Sequence, residues 1–382
     1  MSLAKKKVHK RITRWLIEAI ILCVITLFVT QYLYPNHSMV ADQLNLKTSV
    51  IVDSGGHNGF PDLIYWQGYS YVAFRAAKTH VDRKSSIKIL RSADAEKWSP
   101  VAEMGLDAED IRDPKFAVIH EQLFLYALKN KDITIMPYTT IFSSSKDGLH
   151  WRAWQDVSPQ NWVFWRPKTN DDKIWYVAAD DRKAKRSALF SSTDGMHWDK
   201  VSTIYSKEFN AEIELTLLGH GKMLSTIRVE GMRGDPRTLI GSSTLPYASW
   251  TMVASHVTRL DGASSFVYHD KIFSAGRYEL KPIFKTGNLL NQKRTSLFLV
   301  TPSKLVWLSD LPSSGDTGYA SAIVMEDKAY IAYYTSDPTI DYPWIIGQFQ
   351  PTQIWLAQID LGGLEALAND LQFKALALGI AP

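Results

Sequence analysis

The 382-residue sequence contains one cysteine, Cys23, which lies in an apolar stretch near the N-terminus. The rest of the chain therefore has no disulfide, which excludes a cystine-stapled scaffold. Its ten histidines show no paired ligand spacing, and it has neither a phosphate-cradling glycine loop nor a dinucleotide fingerprint, so neither metal nor cofactor is expected. An excess of one charge is also missing. Without the six basic residues of the first fourteen and Glu18, 37 basic residues face 38 acidic ones. A nucleic-acid partner then has no electrostatic support.

Long apolar runs are confined to one place. The segment from Trp15 to Tyr34 follows Lys5, Lys6, Lys7, Lys10, Arg11 and Arg14, and about 20 apolar residues suffice to cross a bilayer as a helix. The basic flank stays cytoplasmic by the positive-inside rule. The expected plan is a basic tail over 1–14, a transmembrane helix over 15–34, a polar linker over 35–47, a large domain over 48–362 and a tail over 363–382. A cleaved signal peptide has a shorter apolar part with a small-x-small site after it, and a buried soluble helix lacks the basic flank. Glu18 sits near the helix end, within reach of the interface. The protein is thus expected to be single-pass, with its large domain in the periplasm or outside the cell. Asn36-His37-Ser38 fits a glycosylation sequon, which has meaning only in a eukaryotic secretory route.

What the large domain does have is a repeat. Ser192-Thr193-Asp194-Gly195-Met196-His197-Trp198 matches Ser145-Lys146-Asp147-Gly148-Leu149-His150-Trp151, and Ser92-Ala93-Asp94-Ala95-Glu96-Lys97-Trp98 is a third copy. Each follows an alternating apolar run, so each reads as a strand running into a turn in which Ser and Asp bond backbone N–H groups and the Trp packs back. This is the Asp-box hairpin. Degenerate copies lead to Trp250 and Trp307, and Ile354–Ile359 is a sixth strand in phase. A two-run hairpin precedes each, at 63–74, 115–128, before and through 174–179, 213–228, 265–276 and 320–334.

Six units of this kind predict an all-β, six-bladed β-propeller. Outer strands are expected at Val101–Leu106, Ala153–Val157, Val201–Tyr205, Met252–Val257 and after Trp307. The sixth unit lacks one, and Thr48–Val52 is expected to supply it, closing the ring and hiding sheet edges. After the domain, Leu364–Leu371 has a short helical pattern without an assigned role.

In a propeller the first strands of the blades converge on the axis. The chain places Asp62, Asp113, Arg166 and Glu212 near the leading ends of those strands, and second strands end in Arg75, Arg228 and Arg277. Charges recurring at this register beside apolar strands are the main functional signal, although Asp113 before Pro114 is equally suited to cap a turn between blades.

The Asp boxes, the six-blade phase and these residues together resemble the sialidase superfamily over roughly 48–361. The resemblance implies a Tyr–Glu nucleophile pair, Tyr319 with Glu212, because a carboxylate nucleophile would be repelled by a sugar carrying a carboxylate at its anomeric carbon. It implies Asp82 as acid/base, with His80 as rival, and Arg228 and Arg294 as substrate-binding arginines, with Arg277 competing with Arg294. Arg75, Arg166, Asp62 and Asp113, taken from their strand-end register rather than from the resemblance, complete the expected substrate-binding set. Arginine clusters suit a carboxylate through paired, charge-assisted hydrogen bonds.

Two positions depart from the family. Gly59 stands where the first arginine of the family's Phe-Arg-Ile-Pro motif is expected, and Tyr334 stands where a supporting glutamate is expected. Arg75 or Arg166 is a candidate for the missing charge. Three readings follow. An exo-glycosidase acting on an extracytoplasmic glycan requires Glu212, Tyr319, Asp82 and the arginines to meet in one axial pocket. A carbohydrate-binding propeller without catalysis requires no Tyr–Glu hydrogen bond. A structural or protein-binding propeller requires a filled axis and an exposed apolar patch.

Overall fold

The computed structural model describes residues 3–33, 37–130, 138–230, 235–280 and 291–377. Six four-stranded antiparallel sheets form the blades of a propeller. The first strands are His57–Trp66, Asp110–Ile119, Val163–Phe164, Asn210–Leu218, Asp261–Tyr268 and Gly318–Met325, and those of blades one, two, four, five and six contact neighbouring first strands around the axis. Second strands are sandwiched between neighbouring blades, which is why Leu123–Leu128 reads as a continuous apolar run and is buried throughout. Outer strands such as Ser99–Gly105 are mostly open to solvent.

Ring closure is as the sequence predicts. Lys47–Val52 pairs antiparallel with Gln353–Asp360, Lys47 opposite Gln358 and Val50 opposite Trp355, so the last blade is finished by the start of the domain. Two outer strands differ in extent. The second blade's is only Gln155–Asp156, and the fifth blade's runs Leu305–Asp310, through Trp307 rather than after it.

The three Ser-x-Asp turns have the expected bonding. Asp194 Oδ1 accepts from the N–H groups of Met196 and His197, both at 2.8 Å, and the Ser192 hydroxyl accepts from Gly195 N–H at 2.9 Å. Trp198 donates to Gly195 O at 3.1 Å and is buried. Gly195 is needed for two reasons: its φ is +76°, and a Cβ there would come within 2.4 Å of Ile119 Cδ1 on the preceding blade.

The segment before the domain departs from a free linker. Residue Met39 exchanges bonds with Asp310, its N–H reaching Asp310 Oδ2 and its carbonyl accepting from Asp310 N–H, both at 2.9 Å. Leu44 is fully buried against the C-terminal helix Leu361–Ala377, whose Leu364, Leu367 and Ala368 close the base of blades five and six. The helical pattern at 364–371 therefore has a structural role.

At the N-terminus a helix runs Leu3–Leu33. Side chains over 27–33 and residues 34–36, which complete the apolar run and include Asn36 of the sequon, lie outside the described residues, as do 378–382. Among the described residues no helix is long and apolar enough to cross a membrane.

Candidate active site

The same irregularity recurs at the head of five first strands. In each, three residues span what two residues span on the second strand, as between Gly59 and Asp62 against Arg75 and Ala73. The extra residue is a β-bulge at Phe60, Asp113, Glu212, Gly262 and Tyr319, with φ of +56°, +52°, +52°, +61° and +47°. Left-handed backbone at non-glycine residues costs on the order of 1–3 kcal/mol each. Here it re-aims side chains off the sheet face toward the axis. Four of the five residues, all but Gly262, line a cavity of about 210 Å³.

That cavity is completed by His80, Arg112, Tyr138, Arg182, Phe209, Ala211, Arg228 and Glu230. It is smaller than the roughly 300–1,000 Å³ typical of drug-sized ligand sites, a size that suits one sugar ring. On one side the Tyr319 hydroxyl donates to Glu212 Oε1 at 2.6 Å, and Glu212 Oε2 accepts from Gly262 N–H at 2.8 Å. Arg228 donates to Glu212 and Glu230 and lies 3.4 Å from the Tyr319 hydroxyl. Phe60 meets the Tyr319 ring edge-on at 4.8 Å.

Burial, and then the Glu212 charge, raise the Tyr319 phenol well above its ordinary value, so it enters any reaction as a neutral hydroxyl with a carboxylate beside it. Burial disfavours the Arg228 charge, but Asp261, Glu212 and Glu230 more than offset this and it stays cationic. On the opposite side Arg112 and Arg182 both pack on the Tyr138 ring, at 5.4 and 5.3 Å from its centre. Burial pushes the Asp113 carboxyl up, and Asp180, behind Arg182, up to about 6.

Of the residues expected from sequence, Tyr319, Glu212, Arg228 and Asp113 meet in this cavity. Asp82 does not. Its carboxylate accepts from the N–H groups of Lys78 at 3.1 Å and Lys84 at 2.9 Å, capping a surface loop, while His80 of that loop turns inward. Arg75 is buried against Asp110 at 2.9 Å and holds the same loop through Thr79 O and Asp82 O. Arg166 and Asp62 belong to a buried axial network. Asp62 Oδ1 takes Arg166 at 2.5 Å, Arg166 reaches Glu214 at 2.9 Å, and Lys168 reaches Glu214 at 2.9 Å. This network fastens blades across the axis and replaces the supply of substrate-binding charge suggested for Arg166. Arg294 is buried against Asp341 at 2.9 Å, and Arg277 lies behind the cavity with its guanidinium 5.0 Å from the centre of the Tyr319 ring.

Arg112 and Arg182 are the cavity arginines that sequence reasoning missed. Arg112 directly precedes Asp113, the strand-entry residue considered above. Arg182 follows the second strand of its blade by one residue, two beyond Asp180, which is the residue level with Arg228 of the next blade, so strand register did not point to it.

The fold has relatives of known structure. A protein of unknown function from Dyadobacter fermentans is similar at 15% identity and a TM-score of 0.60, over 82% of this chain and 99% of that one. The phage phi92 endosialidase matches at 11% identity and 0.61, over 83% and 69%. A Trypanosoma rangeli sialidase mutant displaying trans-sialidase activity matches at 13% and 0.63, over 88% of this chain but only 62% of its own length. No family model and no curated protein matches the sequence. At these identities the likeness is one of architecture: this chain is a sialidase-like six-bladed propeller.

Proposed function

We propose that the protein is an exo-acting glycoside hydrolase that removes a terminal anionic sugar from a glycan. The single observation that carries this is the 2.6 Å bond from the Tyr319 hydroxyl to Glu212 at the edge of a sugar-sized cavity. A phenol becomes a competent nucleophile only with a base against it. A propeller that merely bound sugars has no use for that pair. Arg112, Arg182 and Arg228 line the cavity, each also paired with a carboxylate, Asp110, Asp180 and Glu212 with Glu230, and in this reading they present positive charge to the sugar's anionic substituent. In this reading Tyr319 attacks the anomeric carbon as its proton passes to Glu212, the glycosidic bond breaks, and water then releases the sugar from Tyr319 as the proton returns. In this reading the apolar run 15–34, the last part of which lies outside the described residues, anchors the enzyme with the propeller on the extracytoplasmic side.

Full-length protein in detergent, assayed on aryl glycosides of sialic acid, uronic acids and neutral sugars, is expected to turn over an acidic member. Tyr319→Phe and Glu212→Gln are each expected to lower kcat by about 10²- to 10⁴-fold with the fold intact. Equal activity in Tyr319→Phe and wild type would reject the assignment.

A further inference from the structure

Both departures from the sialidase pattern touch one carboxylate, Asp316. The Tyr334 hydroxyl donates to Asp316 Oδ1 at 2.9 Å while accepting from Arg277 at 2.7 Å. Gly59 makes room for His57, since a Cβ at position 59 would sit 2.8 Å from His57 Cε1, and His57 Nε2 donates to Asp316 Oδ2 at 2.9 Å. Trp344 Nε1 adds a bond to Oδ1 at 3.0 Å. The fourth donor comes from the cavity: His80 Nδ1 lies 2.6 Å from Asp316 Oδ2.

A fully buried carboxylate that collects four neutral donors and lies 3.4 Å from Arg277 stays ionised. Burial opposes that charge, but His80 and His57 outweigh it and hold the group well below its ordinary range. An ionised Asp316 accepts only, so His80 carries its hydrogen on Nδ1 and turns Nε2 to the cavity that it lines. The ring is fixed from other sides by Phe60, edge-on at 5.5 Å, and by Trp344 at 6.0 Å. Phe60 also packs on Tyr319, so one aromatic ring sets the proton site against the nucleophile.

We infer that His80, positioned by Asp316, is the proton-transfer residue of this cavity, in the role that sequence assigned to Asp82. The inference rests on the glycosidase reading. As Tyr319 oxygen bonds to the anomeric carbon and its proton moves to Glu212, the carbon–oxygen bond to the leaving group breaks and that oxygen takes the Nε2 proton of His80 in its doubly protonated, imidazolium form, leaving the neutral ring with its hydrogen on Nδ1. Neutral His80 then takes a proton from the water that displaces Tyr319, and Glu212 returns its proton to the phenolate. All atoms and protons balance across the two halves. The titratable or charged groups facing His80 are Asp316 from the last blade, His57 from the first and Arg112 from the second. Burial lowers His80 to about 4, with Asp316 opposing and His57 and Arg112 adding to the fall. Leaving-group protonation is then expected to fade as pH rises above that range, and an anionic substrate moves the limb upward.

The test uses the full chain and two glycosides of the sugar that wild type accepts, one with a nitrophenyl and one with a methyl leaving group. His80→Gln is expected to lower kcat/KM on the methyl glycoside by about 10²- to 10⁴-fold and on the nitrophenyl glycoside by less than about 10-fold, because only the poor leaving group needs the proton. It also removes the alkaline limb of the pH profile. Asp316→Asn, a positioning change, moves that limb to lower pH, and Asp82→Asn leaves both substrates within about 2-fold. Equal losses on the two glycosides, or a leaving-group-dependent loss in Asp82→Asn, would overturn the inference while leaving the hydrolase reading intact. Absence of wild-type turnover on the whole panel, or undiminished activity in Tyr319→Phe, sinks the hydrolase reading and this inference with it.

Discussion

The ring of His57 occupies the space that a side chain at position 59 would need, with Cε1 only 2.8 Å from where a Cβ would stand. The ring is fully buried and tied to Asp316, so it has little freedom to give way. Gly59→Ala is therefore expected to destabilise the protein by about 1–3 kcal/mol, the usual range for overpacking. Urea unfolding checks this. Gly59→Arg is expected to unfold more readily still, without creating a carboxylate site.

The axial network makes its own prediction. Arg166 lies between Asp62 and Glu214, and both carboxylates also cap neighbouring blades by accepting from Phe116 N–H at 2.7 Å and Ser265 N–H at 2.9 Å. Arg166→Met leaves two buried carboxylates short of their shared cation, an error of about 3–5 kcal/mol in comparable buried pairs. Chemical denaturation should show that loss. A substrate-binding arginine at the surface of a pocket would instead change KM and spare stability.

Asp113 predicts the opposite sign. It sits on a left-handed bulge, buried, and among the described residues its Oδ1 has no hydrogen-bond partner. Its folded pKa is raised by burial, so at neutral pH its charge weakens the fold, and stability rises as pH falls through the folded value toward the unfolded value near about 4. Asp113→Asn, which tolerates left-handed backbone, is expected to raise the melting temperature at pH 7, with the gain shrinking toward pH 4. Turnover is expected to fall, because the carboxylate faces the cavity.

The repeated turns have an acid limit. Asp194 is held down to about 2: slight burial works against it, and the N–H groups of Met196 and His197, the His197 ring and the Ser192 hydroxyl prevail. A depressed folded value gives stability that is complete above about pH 4 and lost as pH falls through about 2. Asp194→Ala is thus expected to cost about 1–2 kcal/mol at pH 7, as for a lost capping side chain, and progressively less in acid. Unfolding followed by tryptophan fluorescence over pH 2–7 checks the convergence.

The architecture was legible because its signals are local. Ser-x-Asp turns, alternating strands and their near-50-residue spacing are set by hydrogen bonds within a few residues of each other, and the orphan strand at Thr48–Val52 followed from counting four strands per blade. Tyr319, Glu212, Arg228 and Asp113 were legible for a related reason: each occupies a fixed register at a strand end, and the axis brings those ends together. Register alone cannot tell the direction of a long side chain. Arg75 and Arg277 share the register of Arg228, and Arg166 and Arg294 stand at other strand ends, yet Asp110, Asp62 with Glu214, Asp316 and Asp341 hold them inside the walls. Those pairings join residues from 35 to 104 positions apart and are decided only when the ring closes. The same holds for His80 against Asp82. Two residues apart on one loop, they differ in placement because Asp82 can satisfy itself with adjacent backbone N–H groups, whereas His80 meets Asp316, 236 residues away, across the seam where the last blade joins the first.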